Sequence, residues 1–260
     1  MWQAVCHGQD QALQKYISAF TYPLHGQRGW PYGSGYAAAM KLYTYFRSSA
    51  SYRVRIALQL KGLSYESVPV HLVRGEQKAS AYADHVGDAL VPSMELDDGL
   101  RLTQSMAIIE YLDETHAQIP LLPSDALGRA HVRALAQMVA CEIHPLNNLR
   151  VLKYLVRDLG VSDEAKTGWY AHWARLGLEA FERQLVLLEA ERKADGLPPS
   201  TFCWGDTPTL ADCCLIPQVF NAQRFNVNLE GLPRLTAVVE RCNALPAFQA
   251  AHPSACPDAE

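Results

Sequence analysis

Strand-like signals stop at Pro123, and this one-sided distribution constrains the fold more than any other feature of the chain. Leu42-Tyr43-Thr44-Tyr45-Phe46 is aromatic-rich and reads as a strand. Residues 51–61 place Val54, Ala57, Leu58 and Lys61 at helical spacing before a terminating Gly62. A second strand spans 65–72, which makes a β-α-β unit with a parallel pair. Residues 90–96 and 100–102 flank an Asp97-Asp98-Gly99 turn and pair as a hairpin, and a helix opens at Ser105. The stretch between the second strand and this hairpin has no regular pattern. Past Pro123 only helical periodicity remains, over 126–156, 166–193, 210–220 and 232–243. Thr209 and Asp212 bracket the start of the third of these as a capping pair. The predicted class is α+β, with a βαβ-ββα domain over 40–123 and an all-helical domain over 124–260.

Composition narrows the partners. With 49% hydrophobic and 19% charged residues in 260, the chain can fill a sizeable core. Its net charge of -4 argues against nucleic acid, and no apolar run approaches the ~18 residues of a membrane span. Seven irregularly spaced cysteines without a C-x-x-C pair argue against zinc and against a disulfide framework. A reducing, cytoplasmic setting is expected. Residues 1–39 are rich in glycine and aromatics without a period, so they read as a leader, either disordered or a non-native extension.

Three local features could carry chemistry. Val91-Pro92 puts proline in a strand-like segment, which marks an edge or a cis bond. Ser48-Ser49 and Gln104-Ser105 each stand at a helix start, where free N–H groups favour a carboxylate or a thiolate.

Residues 45–58, Tyr-Phe-Arg-Ser-Ser-Ala-Ser-Tyr-Arg-Val-Arg-Ile-Ala-Leu, resemble the signature of zeta-class glutathione transferases. Val91-Pro92 and residues 104–112, 205–212 and 217–225 resemble further blocks of that family, in order. The resemblance implies a thioredoxin-like glutathione-binding domain followed by a helical domain for the second substrate, and a homodimer. Glutathione is the implied cofactor, and no metal is expected. Ser48 would hydrogen-bond the glutathione sulfur with Ser49 assisting. Gln77, Val91, a cis Pro92, Gln104, Ser105, His144, Asn147 and Asn148 would hold the tripeptide. Arg47, Arg150 and Arg224 would hold the substrate, a small dicarboxylate with keto or enol groups, with Arg47 and Arg224 also serving catalysis. Ala50 stands where many members have cysteine, and residues 85–90 replace an Asn-Pro-containing pattern.

The implied activity is cis–trans isomerisation of maleylacetoacetate in tyrosine and phenylalanine breakdown. Maleylpyruvate isomerisation, transfer of glutathione to halogenated acids and non-catalytic ligand carriage are the alternatives. The chemistry is physically coherent, because a double bond resists rotation whereas reversible addition of a thiolate leaves a single bond that turns. Paired hydrogen bonds suit arginine to carboxylates. Arg47 is expected near a buried strand, where an unpaired charge is costly. Arg53 and Arg55 are expected to tie the first helix to acidic neighbours, and Trp169, Tyr170 and Trp173 to be packing residues. His144 could equally satisfy backbone groups freed at a Pro145 kink.

Overall fold

A computed structural model describes residues Met40–Glu260. The leader over residues 1–39 lies outside the described residues. Four short strands form one sheet: β1 (Lys41–Thr44), β2 (Glu66–Pro69), β3 (Ser93–Glu95) and β4 (Arg101–Thr103). Their order is β2-β1-β3-β4, with β1 parallel to β2 and antiparallel to β3, and β3 antiparallel to β4. The expected β-α-β unit and hairpin are both present, with strands shorter than their hydrophobic runs.

Helix α1 (Ser49–Lys61) connects β1 to β2. Its N-cap is Ser48, whose hydroxyl oxygen accepts the Ser51 amide, and Gly62 closes it at φ 65°, a conformation that glycine adopts without a Cβ clash. Buried residues surround the helix on nearly every face, so its amphipathic stripe is weak. It packs against α3 (Ser105–Thr115) and against α7 (Leu210–Arg224) and α9 (Pro246–Ala251) of the helical half. Lys61 anchors its C-terminal end. The buried ammonium donates to Asp113 at 2.7 Å and to the carbonyls of His116 and Ile119.

A seven-residue helix, α2 (Ser80–Val86), occupies the stretch that shows no pattern in sequence, because only Tyr82 is buried and no stripe is needed. The expected helical region 126–156 is broken. Helix α4 (Ala126–Gln137) runs into a π-helical segment at Met138–Ile143 and a 3-10 turn at Pro145–Asn147, and α5 (Leu149–Arg157) follows. The 32-residue α6 (Asp163–Ala194) then crosses to α7, followed by α8 (Pro233–Asn243) and α9. Gly177 of α6 faces the π segment, and a Cβ there would clash with Ile143 Cγ1. Asp212 reaches back to the Thr209 amide at 2.7 Å, as the capping pattern predicts. It also accepts the Thr209 hydroxyl and the Cys203 amide. Cys203, Cys213, Cys214 and Cys242 are free and buried, small members of the core.

Candidate active site

The loop after β1 and the start of α1 form one wall of a cavity of about 460 Å³. Arg55 fixes that loop from behind. Its guanidinium donates to the Thr44 hydroxyl and to the carbonyls of Tyr45, Phe46 and Ala251. Arg53 is also buried and donates to the Ser105 hydroxyl at 3.2 Å. Neither arginine is tied to a carboxylate by these bonds, which corrects the expectation of acidic neighbours. Backbone carbonyls serve Arg55 because the turn leaves them pointing inward.

The structure brings Arg47, Ser48, Ser49, Gln77, Val91, His144, Asn147, Asn148, Arg150 and Arg224 to this one cavity. Pro92, Gln104 and Ser105 are absent from its lining, so the second helix start does not meet the first there. The Val91-Pro92 peptide is cis, as the resemblance implies. Gln104 caps α3 at φ 67° and donates to Asp88, while the Ser105 side chain is buried. A non-glycine residue at that φ carries backbone strain of about 1–3 kcal/mol, a feature concentrated at ligand clamps.

Arg47 follows the buried strand but is itself exposed, and its guanidinium lies over the Phe46 ring and donates to the Glu260 carbonyl. Arg224, at the end of α7, donates to Asn221 at 2.9 Å. Burial and the nearby Arg47 charge both lower the Arg224 pKa. Two like charges held on one cavity wall make a site for a doubly anionic ligand. Arg150 adds a third cation from the first turn of α5.

His144 belongs to the site and not to the backbone of a kink. Its amide donates to the Val139 carbonyl across the π segment at 2.9 Å, and its side chain bonds Ser49 and Asn148. Sequence reasoning missed Tyr170 and Gln218. Tyr170 stacks on Phe225 at 3.8 Å yet lines the cavity, so it is more than packing. Both lie in helices whose apolar neighbours hide them, although the 217–225 block contains Gln218. Gln77 Oε1 and Asn147 Oδ1 are buried acceptors of the wall with no hydrogen-bond partner among the described residues, whereas the Gln218 amide meets the Tyr170 hydroxyl. Buried polar groups are normally paired, so these two acceptors suit a ligand with N–H groups, as a tripeptide has.

Thus a four-stranded mixed sheet leads into a helical half, with paired serines at the first helix start and a cis proline beside the same cavity. Residues 47–115 match the family described as "Glutathione S-transferase, N-terminal domain", and 169–241 match its C-terminal domain. The chain belongs to the zeta class of the glutathione S-transferase family. It is 47% identical over 221 residues to the maleylacetoacetate isomerase of Pseudomonas aeruginosa, covering 84% of this chain and 98% of that protein. The holo structure of a bacterial zeta-class maleyl pyruvate isomerase is 43% identical with a TM-score of 0.78, covering 85% and 100%. The maleylacetoacetate isomerase of Anaeromyxobacter dehalogenans, solved with glutathione in its active site, is 42% identical with a TM-score of 0.73, covering 85% and 98%.

Proposed function

We propose that this protein is a glutathione-dependent isomerase that converts maleylacetoacetate to fumarylacetoacetate. The observation that carries the reading is the union, in one cavity, of a paired-serine helix start with Arg47 and Arg224. Bound glutathione supplies a thiolate that adds reversibly to the alkene and so permits rotation. Ser48 donates its hydroxyl proton to the sulfur, while its oxygen is already engaged by the Ser51 amide. Gln77 and Asn147 offer their open acceptor oxygens to the tripeptide, and Val91 offers its backbone. The γ-glutamyl end of the tripeptide extends beyond this cavity lining toward Gln104 and Ser105 at the start of α3. Arg47, Arg150 and Arg224 bind the carboxylates of the dicarboxylate substrate and stabilise charge that develops on its oxygens. In this reading residues 40–123 bind glutathione and 124–260 complete the substrate pocket. The enzyme works as a cytoplasmic homodimer in tyrosine and phenylalanine breakdown, which its class and the free cysteines among the described residues support.

Glutathione-affinity capture followed by spectrophotometric assay of both keto-diacids tests the proposal. Turnover of maleylacetoacetate is expected. Maleylpyruvate is the second reading, favoured by His144, Asn148 and Arg150 meeting at the cavity wall and by the likeness to its isomerase. A far larger kcat/KM for maleylpyruvate would replace the first assignment. A stable thioether product from a halogenated acid, without isomerisation of either diacid, would make the protein a transferase only.

A further inference from the structure

A chain of side-chain hydrogen bonds runs from the start of α5 to the start of α1, and its donors and acceptors are consistent with one set of proton positions. The Arg150 amide donates to Asn148 Oδ1 at 3.1 Å, which fixes the orientation of the Asn148 carboxamide. Asn148 Nδ2 must then face His144 Nε2, at 3.2 Å, as a donor. A ring nitrogen that accepts is unprotonated, so the neutral imidazole carries its proton on Nδ1. Nδ1 lies 2.9 Å from Ser49 Oγ and donates to it. The opposite tautomer would set two donors against each other at Asn148. Flipping the carboxamide to relieve that would set its NH2 against the Arg150 amide.

We propose that Asn148 and His144 act as a positioning relay that commits the Ser49 hydroxyl proton to the glutathione sulfur, as a second donor beside Ser48. The inference rests on the glutathione reading above. With its oxygen engaged by Nδ1–H, the Ser49 hydroxyl, which lines the cavity, has its own proton free for a ligand. Ser48 obeys the same logic by a different route, because its oxygen caps α1. Both hydroxyls are thereby held as donors to one anion, and a thiolate with two donors is favoured over the thiol. Desolvation, with Arg53 and Arg150 nearby, pushes the His144 pKa down to about 3, so the ring stays neutral and can accept from Asn148 at neutral pH. Ala50 leaves no protein thiol among these three residues at the helix start, which makes the hydroxyls the donors available there.

Two measurements test the relay. The first is nitrogen NMR of histidine-labelled protein, with the His144 signals identified by their loss in His144→Gln. A neutral ring protonated on Nδ1 is expected, and protonation on Nε2 or a charged ring at neutral pH overturns the relay. The second is titration of bound glutathione by its ultraviolet thiolate absorbance. Ser49→Ala, His144→Phe and Asn148→Asp should each raise the thiol pKa by about one to two units, the worth of one hydrogen bond to an anion. In Asn148→Asp a carboxylate accepts from Nε2–H and draws the Ser49 proton toward Nδ1, and its own negative charge adds to the rise, so the double variant carries the specificity. Ser49→Ala/His144→Phe should titrate as Ser49→Ala alone. Additive shifts, or no shift in Asn148→Asp, overturn the proposal. Wild-type protein with the expected tautomer but no bound thiolate refutes the glutathione reading instead, whereas bound thiolate with the wrong tautomer refutes only the relay.

Discussion

The Phe46 amide donates to the Asp258 carboxylate at 3.0 Å across a sequence separation of 212 residues, so residues 256–260 close onto the loop that carries Arg47 and Ser48. Glu260 extends the contact to Arg74 at 2.6 Å and to Arg47. Asp258→Ala leaves the Phe46 amide without this partner and should destabilise the fold by about 1–3 kcal/mol, measured by urea unfolding. Asp258→Asn keeps an acceptor and should lose less. Equal losses would mean that the contact acts through charge alone.

Arg224→Ala should raise KM for either keto-diacid about tenfold or more, the cost of a charge-assisted hydrogen bond to carboxylate. Arg224→Lys should recover part of it, since lysine keeps the charge without the planar fork. Unaltered KM and kcat in the alanine variant would remove Arg224 from the substrate site.

Ser48 combines a cap with a donor, so Ser48→Ala should show two separable effects. Loss of the cap costs about 1 kcal/mol of stability by chemical denaturation. Glutathione binding should mostly persist while isomerisation collapses, and Ser48→Thr should restore both properties in large part. Undiminished turnover in Ser48→Ala would exclude it as the sulfur's donor.

Gly177→Ala places a methyl group against Ile143 Cγ1, which must give way. Overpacking of this kind costs about 1–3 kcal/mol. Because Ile143 adjoins His144, the variant should also weaken thiolate formation on bound glutathione. Thermal unfolding and thiolate absorbance check the two effects.

Acid should destabilise the protein through His144. Its folded-state pKa, lowered from 6.5 to about 3, means that the unfolded chain binds the proton and the folded one does not between those limits. Stability is therefore complete above pH 6.5 and falls as pH drops, by up to ~1.4 kcal/mol per unit from this group. In His144→Gln the slope between pH 6 and pH 4 should flatten accordingly. Desolvation sets the shift, with the Arg53 and Arg150 charges adding to it, while the side-chain partners Ser49 and Asn148 are neutral.

The first half of the fold was legible because turn and cap residues punctuate it: Gly62, Asp97-Asp98-Gly99 and Ser105 each end or begin an element. Helix α2 escaped because it buries one side chain, and α9 because six residues show no period. Ser48 and Arg224 were legible through the resemblance of their flanking residues. The contact of Ser49 with His144 was not, since it spans 95 residues and depends on a π segment with no local signature. Arg47 follows a buried strand as the sequence indicates, but the exposure of its side chain over Phe46 has no signal in the sequence.

The wide turn at Met138–Ile143 turns chain length into direction. Each residue removed from a helix rotates the remainder of that helix by about 100°. A homologue one residue shorter there would keep the same downstream sequence yet aim its imidazole at a different neighbour. Insertions and deletions in these six positions would therefore change the wiring of the pocket before they changed its size.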